Sequence, residues 1–237
     1  MDALRPRLRF SGDTLLLVEF GDRIDPAINR QAVRVAAAIG RAQLAGVRDI
    51  VPAYTTVGIH FDPLQTDLEA VERTIVEAVT ALDQTTEPAP RVVEIPVCYG
   101  GAHGPDLDEV ARWAGLTAEE VVQRHVERTY RVYMLGFVPG FAYMARVDPV
   151  IAVPRHRTPR ERVAAGAVGI AGEQTGVYPM AAPGGWHVIG RTPLRMFTPG
   201  AALPSRCMPG DEVRFVRLSS AEFAERALAI DGIGVAR

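Results

Sequence analysis

Hydrophobic positions in the first part of the chain alternate between the two-residue period of β-strands and the three-to-four-residue period of helices. Strands are predicted at Arg7–Phe10 and Leu15–Phe20, joined by a turn at Ser11–Asp13. A helix is predicted to begin at Asp25 and Pro26, because a carboxylate accepts unpaired backbone N–H groups and proline suits the first helical position.

The same patterns continue through the next forty or so residues. Gly46 is the predicted end signal of the first helix, since glycine tolerates the left-handed backbone found there. Strands are predicted at Ile50–Tyr54 and Thr56–Phe61. A second helix is predicted over Asp67–Leu82, where apolar residues recur at helical spacing. Together these elements predict a small α+β unit.

The segment Asp83–Pro90, with the sequence DQTTEPAP, interrupts these patterns. Its polar residues and two prolines disfavour continuation of either a helix or a sheet. We therefore predict an N-terminal α+β domain over residues 1–86 and a second domain over residues 87–237.

The pattern of the second domain is dominated by short β-like runs separated by glycine and proline, which predicts a barrel or a sandwich. Two short helices are predicted early in it, and Thr117 with Glu120 forms the signature of a capping box. A last helix is predicted with a second possible box at Ser219 and Glu222. The predicted strands are Val92–Val97, Arg131–Leu135, Val168–Ala171, Gly176–Pro179, Trp186–Ile189 and Val213–Val216, and the predicted helices are Asp106–Ala114, Ala118–Arg128 and Ala221–Ile230.

Composition places the chain among ordinary globular proteins, with 48% hydrophobic and 23% charged residues. A net charge of -2 and the lack of a long basic run argue against nucleic acid as a partner. No apolar run is long enough to span a membrane and no signal sequence is recognisable, so we expect no membrane contact and a cytoplasmic location. The two cysteines, Cys98 and Cys207, are expected to be reduced.

The sequence contains no lysine, so all 26 basic residues other than histidine are arginine. Schiff-base chemistry, a Walker A phosphate site and a biotinylated lysine are therefore excluded within this chain. Serine is scarce and none lies in a GxSxG elbow, which argues against a self-contained serine hydrolase. We expect a protein that does not catalyse a reaction by itself.

Two aromatic and glycine-rich turns are candidates for a pocket or a partner-facing surface. The first presents Phe137, Pro139 and Phe141 around a rigid turn, although rings at such a corner also pack simply as core. The second comprises Gly184, Gly185 and Trp186, and Trp186 is more typical of a core residue than of a stacking platform.

The arginine-rich segment Pro154–Arg162 is a candidate for binding anions. Guanidinium groups bind carboxylate or phosphate in a bidentate manner, and the prolines restrain the backbone that carries Arg155 and Arg160. A solvated loop or a salt-bridged patch would explain the composition equally well. The full set of predicted substrate- or anion-binding residues is Arg155, Thr158, Arg160, Gln174, Thr175 and Arg191.

The five histidines are scattered along the chain without HExxH or paired spacing, so no metal site is predicted. His125 lies in a predicted helix and is interpreted as a surface or half-buried structural residue. His187 is the histidine best placed for acid–base chemistry, and Tyr178 is the second candidate for a catalytic side chain.

Three long segments resemble the allophanate hydrolase subunit 1 family, also called the carboxyltransferase-domain family. They are Tyr130–Met144 (YRVYMLGFVPGFAYM), Pro154–Met180 and Ala182–Phe197, and Pro96–Leu107 also fits. The family includes the B subunit of 5-oxoprolinase, the sporulation kinase inhibitor and one half of the carboxyltransferase domain of urea carboxylase. Within the family, standalone proteins of this length, not fused to a biotin carboxylase, most often resemble the 5-oxoprolinase B subunit.

This resemblance implies an N-terminal α+β domain followed by a cyclophilin-like β-barrel. It also implies a homologous partner, a C subunit of the allophanate hydrolase subunit 2 type, and a third lactam-utilisation subunit. The implied reaction is hydrolysis of 5-oxo-L-proline to L-glutamate coupled to cleavage of ATP, with nucleotide contact by this chain implied only by the family's role. The alternatives are a carboxyltransferase subunit of the allophanate hydrolase or urea carboxylase type, and a regulatory inhibitor of a sensor histidine kinase.

Overall fold

Residues 6–82 and 89–233 are described by the structure, which is a computed structural model. The chain divides into two units, Met1–Ala89 and Pro90–Arg237. The domain boundary predicted between residues 86 and 87 falls outside the described residues, so it stays a prediction.

The first unit is a four-stranded antiparallel sheet with two helices. The strand order is β1-β2-β4-β3. Buried residues of β2 and β4 form a core with one face of each helix, including Leu16, Ile59 and Ile75. The elements are β1 (Arg7–Phe10), β2 (Leu15–Glu19), α1 (Pro26–Ala42), β3 (Val47–Pro52), β4 (Thr56–Phe61) and α2 (Leu68–Leu82).

The ends of α1 show one correct prediction and one error. Asp25 is the N-cap, and its carboxylate accepts hydrogen bonds from the N–H groups of Ala27 and Ile28. The predicted end at Gly46 is wrong, because the helix ends at Ala42 and Gln43 takes the left-handed conformation with φ 45°. Gly46 also has positive φ, but it lies in the turn that precedes β3.

The second unit is a closed barrel of seven strands in the order β10-β7-β6-β13-β5-β12-β9. The long strands β5 and β13 are parallel to each other, whereas the other neighbouring pairs are antiparallel. The elements are β5 (Val92–Tyr99), α3 (Leu107–Ala114), α4 (Ala118–Val126), β6 (Thr129–Leu135), β7 (Ala142–Ala145), a 3-10 helix (Pro149–Ile151), β8 (Arg160–Val163), β9 (Ala167–Ala171), β10 (Gln174–Val177), β11 (Ala182–Gly184), β12 (His187–Arg191), β13 (Glu212–Leu218) and α5 (Ser220–Ile233).

The barrel confirms the predicted fold class, an α+β unit followed by a β-barrel. Its interior is filled by fully buried apolar side chains, including Ile95, Val132, Val168 and Val213. Both predicted capping boxes are present, at Thr117 with Glu120 and at Ser219 with Glu222. Three strands were not predicted, namely β7, β8 and β11, and they have four, four and three residues.

Candidate functional site

A cleft of about 580 Å³ opens beside α3 in the second unit. Glu109, Arg112 and Trp113 line it from the helix. The loop over residues 153–157 and His187, the first residue of β12, complete its wall. The cleft therefore collects side chains from three parts of the sequence.

Asp106 lies next to the cleft wall, 3.5 Å from Nε2 of His156. Its carboxylate is only 3% exposed and accepts hydrogen bonds from both terminal nitrogens of Arg160, at 2.8 and 2.5 Å, and from the backbone N–H of Val188 at 2.7 Å. Burial opposes the charged form of Asp106, but these hydrogen bonds outweigh it and lower the pKa of the carboxyl group. The result is a partly buried ion pair that ties β8 to the start of α3 and to β12.

Two histidines stack beside this ion pair. The ring centroids of His156 and His187 lie 3.7 Å apart with the planes 26° from parallel. Nε2 of His187 lies 3.6 Å from a carboxylate oxygen of Glu109, whereas its Nδ1 has no hydrogen-bond partner among the described residues. Burial and the neighbouring His156 lower the pKa of His187, which favours a neutral ring.

Glu109, His156 and His187 form a group that could hold a metal ion by distance, since one donor atom from each lies within 4.8 Å of the others. Inspection of the sequence missed this group because its members are widely separated along the chain. The geometry is not convergent, however. Stacked rings direct their nitrogen lone pairs side by side, and Nε2 of His156 already lies 3.1 Å from a guanidinium nitrogen of Arg160.

The arginine-rich segment separates into inward-facing and outward-facing side chains. Arg160 is bound to Asp106, so its planar fork is occupied within the chain, and a ligand-binding role for it stays a prediction. Arg155 and Arg157 are exposed and line the cleft. The guanidinium carbon of Arg155 lies 5.9 Å from the ring centroid of Trp186, and Thr158 is exposed outside the cleft lining.

The other predicted anion-binding residues lie away from this cleft. Thr175 is fully buried in the barrel, where its hydroxyl donates to the carbonyl of Gly169 and contacts His125, so no ligand reaches it in this structure. Gln174 is half-buried on β10. Arg191 donates to the carbonyl of Ala165 and lines a different, smaller cleft.

The aromatic residues considered for a partner-facing surface are mostly core. Phe141 and Trp186 are buried and meet edge to face with ring centroids 5.4 Å apart. These two rings therefore pack as core, which is one of the alternatives left open by the sequence. Phe137 is 57% exposed and adopts a positive φ of 67°, and Pro139 is exposed beside it. Of these residues, only this tip remains available to a partner.

Tyr178 and the two glycines belong to the same buried corner. Burial raises the pKa of the Tyr178 hydroxyl, which disfavours a role as a base. Gly184 passes so close to this hydroxyl that an added Cβ would lie 2.2 Å from its oxygen. The carbonyl of Gly185 accepts the N–H of His156 at 2.8 Å and thereby holds the histidine loop against the barrel.

His125 contradicts the sequence-based interpretation. It lies in the last turn of α4 and is fully buried rather than at the surface, and burial lowers its pKa to about 3. The apolar ring faces of Tyr130 and Phe215 surround it. A histidine in a helix gives no sequence signal that separates this environment from an exposed one.

Comparison with known protein families identifies the family to which this chain belongs. Residues 6–207 match the family described as carboxyltransferase domain, subdomain C and D. The chain belongs to this family.

Relatives of this carboxyltransferase-domain protein include curated B subunits of 5-oxoprolinase, which confirms the resemblance seen in the sequence. The 5-oxoprolinase B subunit of Bacillus subtilis (strain 168) is 39% identical over 230 residues, covering 93% of this chain and 96% of the relative. That of Escherichia coli O157:H7 is 38% identical over 213 residues, covering 90% and 96%. The urea amidolyase of Lachancea kluyveri is 23% identical over 253 residues, covering 92% of this chain but 14% of that protein.

Solved structures agree on the fold. The crystal structure of TTHA0988 has a TM-score of 0.77 at 37% identity, covering 90% of this chain, which spans only 41% of that protein. A conserved uncharacterized protein from Pyrococcus horikoshii is 42% identical with a TM-score of 0.55, covering 92% of this chain and 100% of that one. The urea amidolyase of K. lactis, at 19% identity and a TM-score of 0.72, covering 95% of this chain and 16% of that one, supports the fold alone.

Proposed function

We propose that this chain is the B subunit of an ATP-dependent 5-oxoprolinase, which hydrolyses 5-oxo-L-proline to L-glutamate together with a homologous C subunit and a third lactam-utilisation subunit. The observation that carries the proposal is the 39% identity to the Bacillus subtilis B subunit over 96% of that protein. A subunit designation implies partner chains. We propose a cytoplasmic location, because the reaction consumes ATP.

The chemistry of the cleft is compatible with a share in a composite active site. The chain has no lysine and no serine elbow, so a Walker A lysine or a serine nucleophile of that kind would have to come from another subunit. It does offer two histidines and exposed arginines in one cleft. Arginine is suited to a carboxylate such as that of 5-oxoproline.

The proposal predicts activity only in the assembled system. The purified chain alone, the chain with the C subunit, and the chain with both the C subunit and the third component are each supplied with 5-oxo-L-proline and ATP. Glutamate formation and phosphate release are measured in parallel. We expect turnover only in the three-component mixture, with both signals dependent on 5-oxoproline.

Two outcomes would contradict this assignment. Substantial turnover by the isolated chain would show a complete active site within it. Equal turnover by the other two components with and without this chain would show that it is not part of the enzyme.

The match to urea amidolyase favours a second candidate, one half of a carboxyltransferase. Such an enzyme would transfer a carboxyl group from a biotinylated partner, since the chain itself has no lysine to carry biotin. Inhibition of the assembled complex by avidin would support this candidate. Full activity in the presence of avidin would favour the oxoprolinase.

A further inference from the structure

We propose that the cleft between α3 and the loop over residues 153–157 binds a small carboxylate or phosphate group, with Arg155 and Arg157 as its main cationic contacts. The inference deepens the proposed function by assigning a chemical class of ligand to this cleft. It rests on that function only for the identity of the natural ligand.

The charges around the cleft favour an anion. Arg112, Arg155 and Arg157 line it against a single carboxylate, that of Glu109. None of these three guanidinium groups forms an ion pair with another side chain in the described parts of the chain. Asp106, the other nearby carboxylate, is already bound by Arg160. An excess of positive charge therefore remains available to a ligand.

The loop that carries Arg155 is held in place before any ligand arrives. Pro154 restrains the backbone immediately before it, and the N–H of His156 bonds to the carbonyl of Gly185 at 2.8 Å. The Arg155 guanidinium also lies over the Trp186 ring, an arrangement that stabilises a cation. A preorganised arginine loses less side-chain freedom on binding than one in a solvated loop.

His187 adds a polar group that the fold leaves unsatisfied. It is 4% exposed, lines the cleft, and its Nδ1 has no partner among the described residues. Buried polar groups in proteins are nearly always hydrogen-bonded, and exceptions often mark sites of function. The cleft lining therefore combines a buried polar side chain with exposed arginines.

A metal ion is the competing occupant of the cleft. Glu109, His156 and His187 supply three possible donors, but the stacked rings do not converge on one point and the arginines repel a cation. The same residues thus favour an anion over a metal, and the two occupants depend on different side chains.

The two tryptophans of the chain, Trp113 and Trp186, report on this cleft directly. Trp113 is 62% exposed and lines it, and Trp186 lies under Arg155. The intact chain is titrated with 5-oxo-L-proline, L-glutamate, inorganic phosphate and ATP while tryptophan fluorescence is followed, and calorimetry gives the affinities. We expect saturable binding of at least one of these anions. Preference for the carboxylates or for the phosphates identifies the source of the group.

Variants test which side chains bind it. Arg155→Gln is expected to weaken binding at least about tenfold, as loss of a charge-assisted contact does. Arg157→Gln is the second variant. Arg162→Gln is the matched control, since Arg162 is exposed in the same segment and outside the cleft lining, and it should change affinity less than about twofold. Thermal unfolding of each variant verifies folding.

Several results would overturn the inference. They are no saturable binding of any of the four anions, or an equal loss of affinity in Arg162→Gln and Arg155→Gln. Binding of zinc chloride that is abolished by Glu109→Gln but unchanged by Arg155→Gln would assign the cleft to a metal instead. These measurements need no partner protein, so an inactive complex would count against the proposed function without deciding this site.

Discussion

At the scale of single residues, Asp106 has a role that the surrounding sequence does not indicate. It stands at the N-cap of α3, where an aspartate normally accepts helix N–H bonds, but its side chain makes no cap bond. It bonds instead to Arg160 and to the N–H of Val188. The ion pair with Asp106 holds Arg160 inward. Arg155, which also follows a proline, lines the cleft instead.

We predict that Asp106→Asn destabilises the second unit by about 1–3 kcal/mol, because it removes the charge that pairs with a partly buried guanidinium. Asp108→Asn is the control, since Asp108 is exposed in the same helix and its change should stay within about 0.5 kcal/mol. Urea unfolding followed by tryptophan fluorescence measures both. Equal stability of the two variants would show that the Asp106–Arg160 ion pair does not contribute to the free energy of unfolding.

At the scale of elements, His125 joins α4 to three strands of the barrel. Its Nε2 contacts the Thr175 hydroxyl on β10 at 3.0 Å, and that hydroxyl donates its proton to the carbonyl of Gly169. Nε2 therefore carries the imidazole proton, and Nδ1 accepts from the Tyr99 hydroxyl of β5 at 2.8 Å. The Tyr130 hydroxyl of β6 donates to the backbone carbonyl of His125 at 2.8 Å.

This neutral, buried histidine predicts a loss of stability in acid. Its pKa is about 3 in the folded chain, against 6.5 for an exposed ring. Between these two pH values the unfolded chain therefore binds a proton at His125 that the folded chain does not bind. The penalty is absent above pH 6.5 and grows as the pH falls towards 3. Between pH 7 and pH 5 it should reach about 2 kcal/mol.

The measurement compares urea unfolding at pH 7 and pH 5 for the original chain and for His125→Gln. We expect the original chain to lose about 2 kcal/mol more than the variant on acidification. His60→Gln, which changes an exposed histidine of β4, should behave like the original chain. Identical acid losses in all three proteins would show that His125 does not carry the effect.

Helix ends show which local features the sequence predicts well. The capping boxes of α4 and α5 and the Asp25 cap of α1 each depend on residues within three positions of one another, and all are present. The end of α1 was mispredicted because Gln43 takes a left-handed conformation that glycine usually occupies. The caps were predicted because their side-chain signals are local, and the end of α1 was missed because a residue other than glycine holds the left-handed position.

At the scale of the whole molecule, the fold class was predictable and the candidate site was not. Short β-like runs and frequent turns predict a barrel or a sandwich, and the family resemblance implied the barrel, but nothing local indicates that β13 pairs in parallel with β5. Glu109, His156 and His187 meet only because the barrel brings α3, a loop and β12 together. The sequence identified Arg155 and His187 individually as candidates, whereas their shared cleft required the three-dimensional structure.

The division into two units leads to the last prediction, that proteolysis separates them between Asp83 and Pro90. Each unit has its own hydrophobic core, and the composition of this segment favours neither helix nor sheet. The segment contains no arginine, so trypsin cannot test it and a protease of broad specificity is needed.

We expect brief digestion to give two stable fragments whose ends, read by mass spectrometry, fall within residues 83–90. The larger fragment contains both tryptophans and should keep their near-ultraviolet circular dichroism, because its core is complete without the first unit. Heat-denatured chain, cut throughout, is the control. First cuts elsewhere, or loss of the tryptophan signal on separation, would mean that the two units depend on each other for folding.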